Sequence, residues 1–338
     1  MAFPDPLPEN VRAVYRGRTV CVTGGAGFIG GHLAERLLDC GASVQIIDDL
    51  SNSDAGLVAS LVERYPGRAR FVYGSILDPT ALAEAVENCS IVFHLAAMGS
   101  VPQSIEDPER CAAVNITGSV RVAQAAKAAG AERWVYSASA SAYGGTDDES
   151  PRRETESPVA LSPYAASKLA GEQLAKAWSA SMGLDGVSLR YFNIFGSRQA
   201  ADSAYAAVVA AFYKALSANQ APTIYGDGTQ TRDFTHVDNA VWANMLAGAH
   251  DKPLKGAIIN IGCGQAVTLL ELLDQIAASC DRDKPEPTFA PARTGDIHHS
   301  RADISLARTL IGYEPVTTLE EGLAETAEWF GCTGSRRI

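Results

Sequence analysis

Short apolar, β-branched runs alternate with helically periodic segments along the first half of the chain. Residues Thr19 to Val22, Ser43 to Ile47, Arg70 to Tyr73, Ile91 to Leu95 and Arg133 to Ser137 have the length and composition of strands covered on both faces. Residues 29–40, 79–88 and 110–129 space their apolar side chains three and four apart, the pattern of helices laid on a sheet. The alternation predicts an α/β fold: a doubly wound parallel sheet with helices on both sides. A further helix starts at Ser162-Pro163, a good N-cap and N1 pair, and runs to about Met182. Val237 to Ile261 reads as a return to the sheet. The expected division is residues 1–190 and 236–264 for the sheet domain, and 191–235 and 265–338 for a smaller α/β lobe. Asp281 to Pro291, with three prolines, predicts a loop.

The first strand runs into Thr23-Gly24-Gly25-Ala26-Gly27-Phe28-Ile29-Gly30. Glycines at 24, 27 and 30 allow a tight turn, close approach of backbone to a pyrophosphate, and close packing of helix on strand. The N–H groups that open the next helix, at Phe28, Ile29 and Gly30, then point at phosphate. The second strand ends in Asp48-Asp49-Leu50-Ser51-Asn52-Ser53. An acid at that tip accepts hydrogen bonds from ribose hydroxyls and repels a 2′-phosphate, and no arginine lies nearby to welcome one. The segment therefore predicts a Rossmann-type NAD site. The fourth strand closes with His94-Leu95-Ala96-Ala97, small residues that let a flat ring approach the strand tips. His94 itself reads as a packing and hydrogen-bonding residue. Gly99-Ser100-Val101-Pro102 continues along the same carboxyl edge, where open α/β sheets bind ligands.

The fifth strand delivers Ser137, Ser139 and Ser141 to that edge, and these would share one face if extended. Tyr164 and Lys168 lie four apart on the following helix, one turn from each other. An ammonium near a phenol favours the phenolate, so Lys168 and a cationic nicotinamide ring together are expected to keep Tyr164 acidic.

The 338 residues, 46% hydrophobic and 20% charged with a formal charge of −11, suit a soluble globular chain. They argue against nucleic acid or an anionic membrane as partner. Seven scattered cysteines without a Cys-x-x-Cys pair suggest neither a disulfide framework nor a zinc site. Adjacent His298 and His299 are read as loop residues, so no metal is expected. No apolar run has the length of a membrane span, and the proline-rich first residues do not form a signal peptide. The cytoplasm is the expected compartment.

TGGAGFIG, DDLSN, HLAA, the Ser139 region, YAASK, RYFNIFG and RDFTHVDN occur in this order. In that combination the chain resembles the extended short-chain dehydrogenase/reductase family, and within it the nucleotide-sugar 4-epimerases, over residues 18 to about 315. The resemblance implies that Tyr164 is the base, Ser139 its hydroxyl partner and Lys168 the contact to the nicotinamide ribose. It places Ser75, Ile76, Leu95, Ala96, Ala97 and Asn115 around NAD, with Asn115 supporting the active site from its helix. It also implies a homodimer through the helices near 110–129 and 162–181. Related dehydratases and decarboxylases carry acids just after the central serine or threonine. Here Ala140 and Ser141 stand there, and elimination without its acid and base is hard to drive.

By the same resemblance a UDP-sugar substrate is held by Gly99, Ser100, Ser139, Ser141, Asn193, Tyr225, Arg232, Arg293 and Asp296. Arg198 and Gln199 are expected to reach the sugar or phosphate. Ser300 walls the sugar pocket, where a tyrosine restricts related enzymes to plain hexoses and a small residue admits a 2-acetamido group. The resemblance thus implies UDP-GlcNAc/UDP-GalNAc first and UDP-Glc/UDP-Gal second, with UDP-uronic acids and a releasing dehydrogenase or reductase as alternatives.

Overall fold

A computed structural model describes residues 7–145, 148–201, 207–292 and 297–332. An N-terminal helix α1 (Glu9–Tyr15) leads into β1 (Thr19–Thr23), α2 (Phe28–Asp39), β2 (Ser43–Asp48), α3 (Gly56–Arg64), β3 (Ala69–Tyr73), α4 (Pro79–Ala85) and β4 (Ile91–His94). Two short helices, α5 (Val101–Glu106) and α6 (Pro108–Ala112), precede a π-helical turn (Ala113–Gly118) and α7 (Ser119–Ala128). Then come β5 (Arg133–Ser139), α8 (Pro163–Ser181) and β6 (Asp185–Tyr191). The remaining elements are β7 (Ile194–Phe195), α9 (Val208–Ser217), β8 (Thr223–Tyr225), β9 (Thr231–Arg232), β10 (Thr235–His236), α10 (Val237–Ala249), β11 (Ala257–Ile261), β12 (Val267–Thr268), α11 (Leu269–Ser279), β13 (Thr288–Ala290), β14 (His299–Ser300), α12 (Ser305–Ile311) and α13 (Leu319–Trp329).

The main sheet has seven strands in the order β11-β6-β5-β4-β1-β2-β3, every pair parallel. Chain order reverses beside β1, which pairs with both β2 and β4, so the crevice for a ligand opens there. One face packs α1, α2 and α10 around Val22, Leu33, Leu37, Phe93 and Met245. The other packs α4, α7 and α8 around Leu82, Val122, Trp134 and Tyr136. A separate core of Phe212, Tyr213, Phe234, Leu272, Ile276 and Leu323 joins α9, α11 and α13. β11 pairs with β6 at one end of the main sheet, and α10 packs against it.

Two buried charges fasten α8 to the sheet. Arg190 on β6 donates from Nε and Nη2 to the two carboxylate oxygens of Glu172, at 2.7 and 2.8 Å, and the Arg190 guanidinium lies 4.6 Å from the Tyr143 ring centre. Bidentate geometry is the condition under which a desolvated pair holds together.

Three local expectations change. The helix expected over 110–129 is interrupted by the π-helical turn, in which the Asn115 carbonyl accepts a hydrogen bond from Ser119 at 2.6 Å. Such turns insert an extra residue and re-aim nearby side chains. The loop expected over 281–291 contains β13, which pairs with β8. His299, expected in a loop, lies in β14 and pairs with Thr231.

Candidate active site

The glycine turn between β1 and α2 has the geometry of a phosphate cradle. Gly24 has φ +72°, and a Cβ there would lie 2.7 Å from the backbone nitrogen of Ala96. At Gly30 a Cβ would stand 2.2 Å from the carbonyl oxygen of Gly24. Gly27 is the extended N-cap of α2, and no side chain caps that helix. The first-turn N–H groups at Phe28, Ile29 and Gly30 thus lack the side-chain acceptor that most helices supply, which fits an incoming pyrophosphate. Gly30→Ala is expected to cut the NAD content of the purified protein at least ~10-fold and to lower Tm by several degrees, because backbone cannot yield to the new methyl. Nucleotide released on denaturation and a melting curve check both.

Asp48 closes β2 beside this turn. Its carboxylate accepts from the N–H of Ala26 at 3.1 Å, the N–H of Leu50 at 2.9 Å and the hydroxyl of Ser53 at 3.1 Å. These bonds hold the acid at the tip and fold the 49–53 segment around it, with Leu50 at φ +56°. Asp49 caps Ser51 from the exposed side, and Asn52 is exposed. The Ser75 hydroxyl accepts from Leu77 N–H at 3.2 Å. Ile76 is buried against Gly118. Leu95, Ala96 and Ala97 leave the end of β4 half-buried, facing the cradle through the Ala96–Gly24 contact.

His94 is a structural linker, as read from the sequence. Ser119 donates its proton to the Asn115 carbonyl, so it accepts from His94 Nε2 at 2.9 Å, while Nδ1 takes the Thr23 hydroxyl at 2.7 Å. Burial holds the ring neutral by lowering its pKa to about 3.

Ser139 ends β5, Tyr164 opens α8 and Lys168 follows one turn later, so the three meet at the carboxyl edge of the sheet. Ser139 accepts from the N–H of Ser141 at 3.2 Å, and its hydroxyl lies near enough to the Tyr164 phenol to favour the ionised form. Residues 140–143 turn into a 3-10 helix, so Ser141 leaves the face expected from an extended run. Its hydroxyl is buried without a protein partner. Lys168 donates to the carbonyl of Ser137 at 2.7 Å and lies 5.8 Å from the centre of the Tyr164 ring.

Burial raises the Tyr164 phenol above its ordinary 10.0, and the nearby Ser139 hydroxyl opposes that only in part. Burial also lowers Lys168 to about 8. The ammonium donates to a carbonyl, and desolvation is the larger influence on both groups.

Asn115 positions other residues. Its amide accepts from Met98 N–H at 2.8 Å, donates to Met98 carbonyl at 3.1 Å and to Ser167 hydroxyl at 2.9 Å. These bonds tie the loop after β4 to α8.

Among the residues expected to hold the sugar nucleotide, Ser100 is the N-cap of α5, accepting from Gln103 N–H at 3.3 Å, and Gly99 faces open space. Asn193 has φ +36° and donates to the Asp233 carbonyl at 3.3 Å. Arg232 and Ser300 pair side by side in β9 and β14, with Ser300 buried. Tyr225 stands exposed at the end of β8. Arg293 and Asp296 lie outside the described residues.

Arg198, at φ +66°, donates to Glu35 on α2 at 2.7 Å, and Glu35 also pairs with Arg64. Gln199 donates to the Ile194 carbonyl at 3.0 Å. The first bond ties residues 193–199 to α2, and the second closes that stretch on itself.

Sequence reading passed over His236, Asp238 and Glu325, whose ligand-type atoms lie within 4.8 Å of one another. The Asp238 N–H donates to His236 Nδ1 at 3.4 Å. The neutral ring therefore carries its proton on Nε2, which faces Glu325 at 3.4 Å. His236 and Asp238 at the start of α10 thus face Glu325 on α13 and bring the two helices together.

Comparison with known proteins now bears on the site. Residues 20–262 match the model of the NAD dependent epimerase/dehydratase family. The chain belongs to that family. It is 38% identical to the UDP-glucose 4-epimerase of Mycolicibacterium smegmatis over 91% of this chain and 97% of that protein. The UDP-N-acetylglucosamine 4-epimerase from Methanobrevibacter ruminantium M1, solved with UDP-N-acetylmuramic acid, superposes with a TM-score of 0.86 at 36% identity, covering 93% of this chain and 98% of that one. A mutant UDP-glucuronic acid 4-epimerase from Bacillus cereus, solved with NAD and UDP-4-deoxy-4-fluoro-glucuronic acid, gives 0.85 at 30% identity, covering 93% and 99%. Fold and family agree with the resemblance read from the sequence, and NAD is the cofactor of the family. Among the described residues, no helix is long and apolar enough to cross a membrane.

Proposed function

We propose that this protein is a UDP-sugar 4-epimerase, with Tyr164 as base, Ser139 as its hydroxyl partner and Lys168 as the neighbouring cation. NAD, held by the 24–30 turn and Asp48, would supply a reversible hydride acceptor for C4, so that hydride could leave one face of the carbon and come back to the other. Tyr164 receives the proton of the 4-hydroxyl and gives it back. Ser139 donates to the sugar oxygen as it changes from hydroxyl to carbonyl, which steadies charge where it develops. Lys168 supplies positive charge under the phenol. The nucleotide stays anchored while the sugar turns between the two transfers, a task assigned to Asn193, Arg232, Arg293, Tyr225 and Asp296.

The observation that carries this reading is the convergence of Ser139, Tyr164 and Lys168 beside the glycine cradle, with Ala140 and Ser141 where eliminating relatives have acids. Two assays test it together. Incubation with a UDP-hexose or UDP-N-acetylhexosamine should produce the C4 epimer by NMR, with no net change in nicotinamide absorbance. A released keto product with stoichiometric NADH accumulation would instead mark a dehydrogenase.

For substrate we assign UDP-GlcNAc/UDP-GalNAc first and UDP-Glc/UDP-Gal second. Buried Ser300 next to Arg232 leaves room beside the sugar that a tyrosine would fill. Ser300→Tyr is expected to lower kcat/KM for the N-acetylated pair at least ~10-fold while UDP-Glc stays within about threefold. A side-by-side series that includes UDP-glucuronic acid checks the ranking. The division into residues 1–190 with 236–264 and 191–235 with 265–338, a homodimer through α7 and α8, and action in the cytoplasm complete the reading. The unpaired state of the seven cysteines supports the last.

A further inference from the structure

Tyr164 sits in the first turn of α8, where backbone N–H groups have no partner within the helix. Ser162 caps one of them, accepting from Ala165 N–H at 3.1 Å. The N–H of Tyr164 itself is taken by a residue from another element. Ser104 in α5, fully buried, accepts it at 3.1 Å and donates its own proton to the Val101 carbonyl at 2.6 Å. With its proton committed, the hydroxyl can present only lone pairs to Tyr164.

The other end of Tyr164 is held as well. Its carbonyl accepts from Ser167 at 2.7 Å, and Ser167 accepts from Asn115 at 2.9 Å. Asn115 also grips Met98 at both backbone groups. The backbone of the proposed base is thus clamped at both ends by one stretch of chain, residues 98–115, which also carries the sugar-side loop. Ser104 N–H donates to the Ser100 carbonyl at 3.0 Å, so one turn of α5 links that loop to the tyrosine.

We propose that Ser104 is a positioning residue that sets the depth of the Tyr164 phenol against Ser139 by holding the first turn of α8. This deepens the function proposed above and rests on Tyr164 being the base. Proton transfer tolerates little displacement, and a shift of about 1 Å can cost ~100-fold in rate. The bond touches neither the nucleotide clamps nor the glycine cradle, so its loss should spare binding.

The test uses the full NAD-loaded protein and its better UDP-sugar, assayed well below Tm. Ser104→Ala is expected to lower kcat about 10- to 100-fold, with KM within about twofold and bound NAD unchanged. Ser104→Thr, which keeps the hydroxyl, is expected to recover most of the rate. If Ser104→Ala does not fold, Ser104→Cys keeps the volume with a poor acceptor and must show the same kcat loss. A folded Ala or Cys variant turning over at the wild-type rate overturns the inference, whatever its Tm. Tyr164→Phe separates the two levels. An active Tyr164→Phe removes the assignment of the base, whereas an inactive one beside fully active Ser104 variants removes only the role of Ser104.

Discussion

Tyr164→Phe is expected to reduce kcat by about 10³-fold, the scale of a lost acid–base group, while bound NAD and Tm stay near wild type. The substitution removes one oxygen and leaves the ring that packs in the first turn of α8. On the protein side, the polar contact at stake is that oxygen's approach to Ser139, which favours its ionised form, and Ser139 keeps its bond from the Ser141 N–H. A stability change should therefore be small. The rate loss should appear in both directions of epimerisation, because the same oxygen removes and returns the proton. NMR turnover with either epimer, together with the nucleotide content of the purified variant, measures it. Turnover within tenfold of wild type would end the assignment of Tyr164.

Lys168→Met is expected to separate activity from stability. Activity should fall about 10²-fold or more, since the neighbouring positive charge is lost. Stability at pH 7 in the NAD-free protein should instead rise, by at most about 3 kcal/mol, the equivalent of lowering the Lys168 pKa from 10.5 to about 8. The orphaned Ser137 carbonyl offsets part of that gain. The sign follows from proton linkage. The native state releases the Lys168 proton near pH 8 and the unfolded chain near 10.5, so between these values the unfolded chain binds more protons and wild-type stability rises with pH. The advantage of Lys168→Met is therefore full below pH 8 and gone by about 10.5. Denaturant melts of both proteins from pH 7 to 10.5 would reveal it. A pH-independent difference would show that the buried ammonium is not destabilising. The trade is one that active sites commonly make.

That inversion is instructive for the catalytic pair. Spacing places Tyr164 and Lys168 on one helix face but says nothing of where the ammonium is directed. In the folded protein it meets the Ser137 carbonyl, and burial raises the phenol. A phenolate at neutral pH then needs charge from outside the chain's own side chains, consistent with a cationic ring held over the same edge.

Much of this protein is legible in its residues alone. Turn glycines, strand lengths and the acid ending β2 are local devices: a residue without a Cβ, a β-branched run and a carboxylate at a strand tip act over a few residues, and their order dictates the Rossmann half. The alternation of strands and helices likewise fixes a parallel sheet, since parallel neighbours require crossover helices. What stays hidden depends on partners distant in the chain. β13 reads as a loop from its flanking prolines because its partner, β8, lies 65 residues away at the Thr223–Thr288 pair. The bonds from Arg198 to Glu35 and from Gln199 to the Ile194 carbonyl likewise carry no signal in the sequence. Ser104 carries no motif at all, and its place under Tyr164 exists only because α5 and α8 meet. Local conformation follows from short-range sterics, which a sequence displays openly; the partner of each buried polar group is settled only when packing brings separate elements together and leaves no water to bind instead.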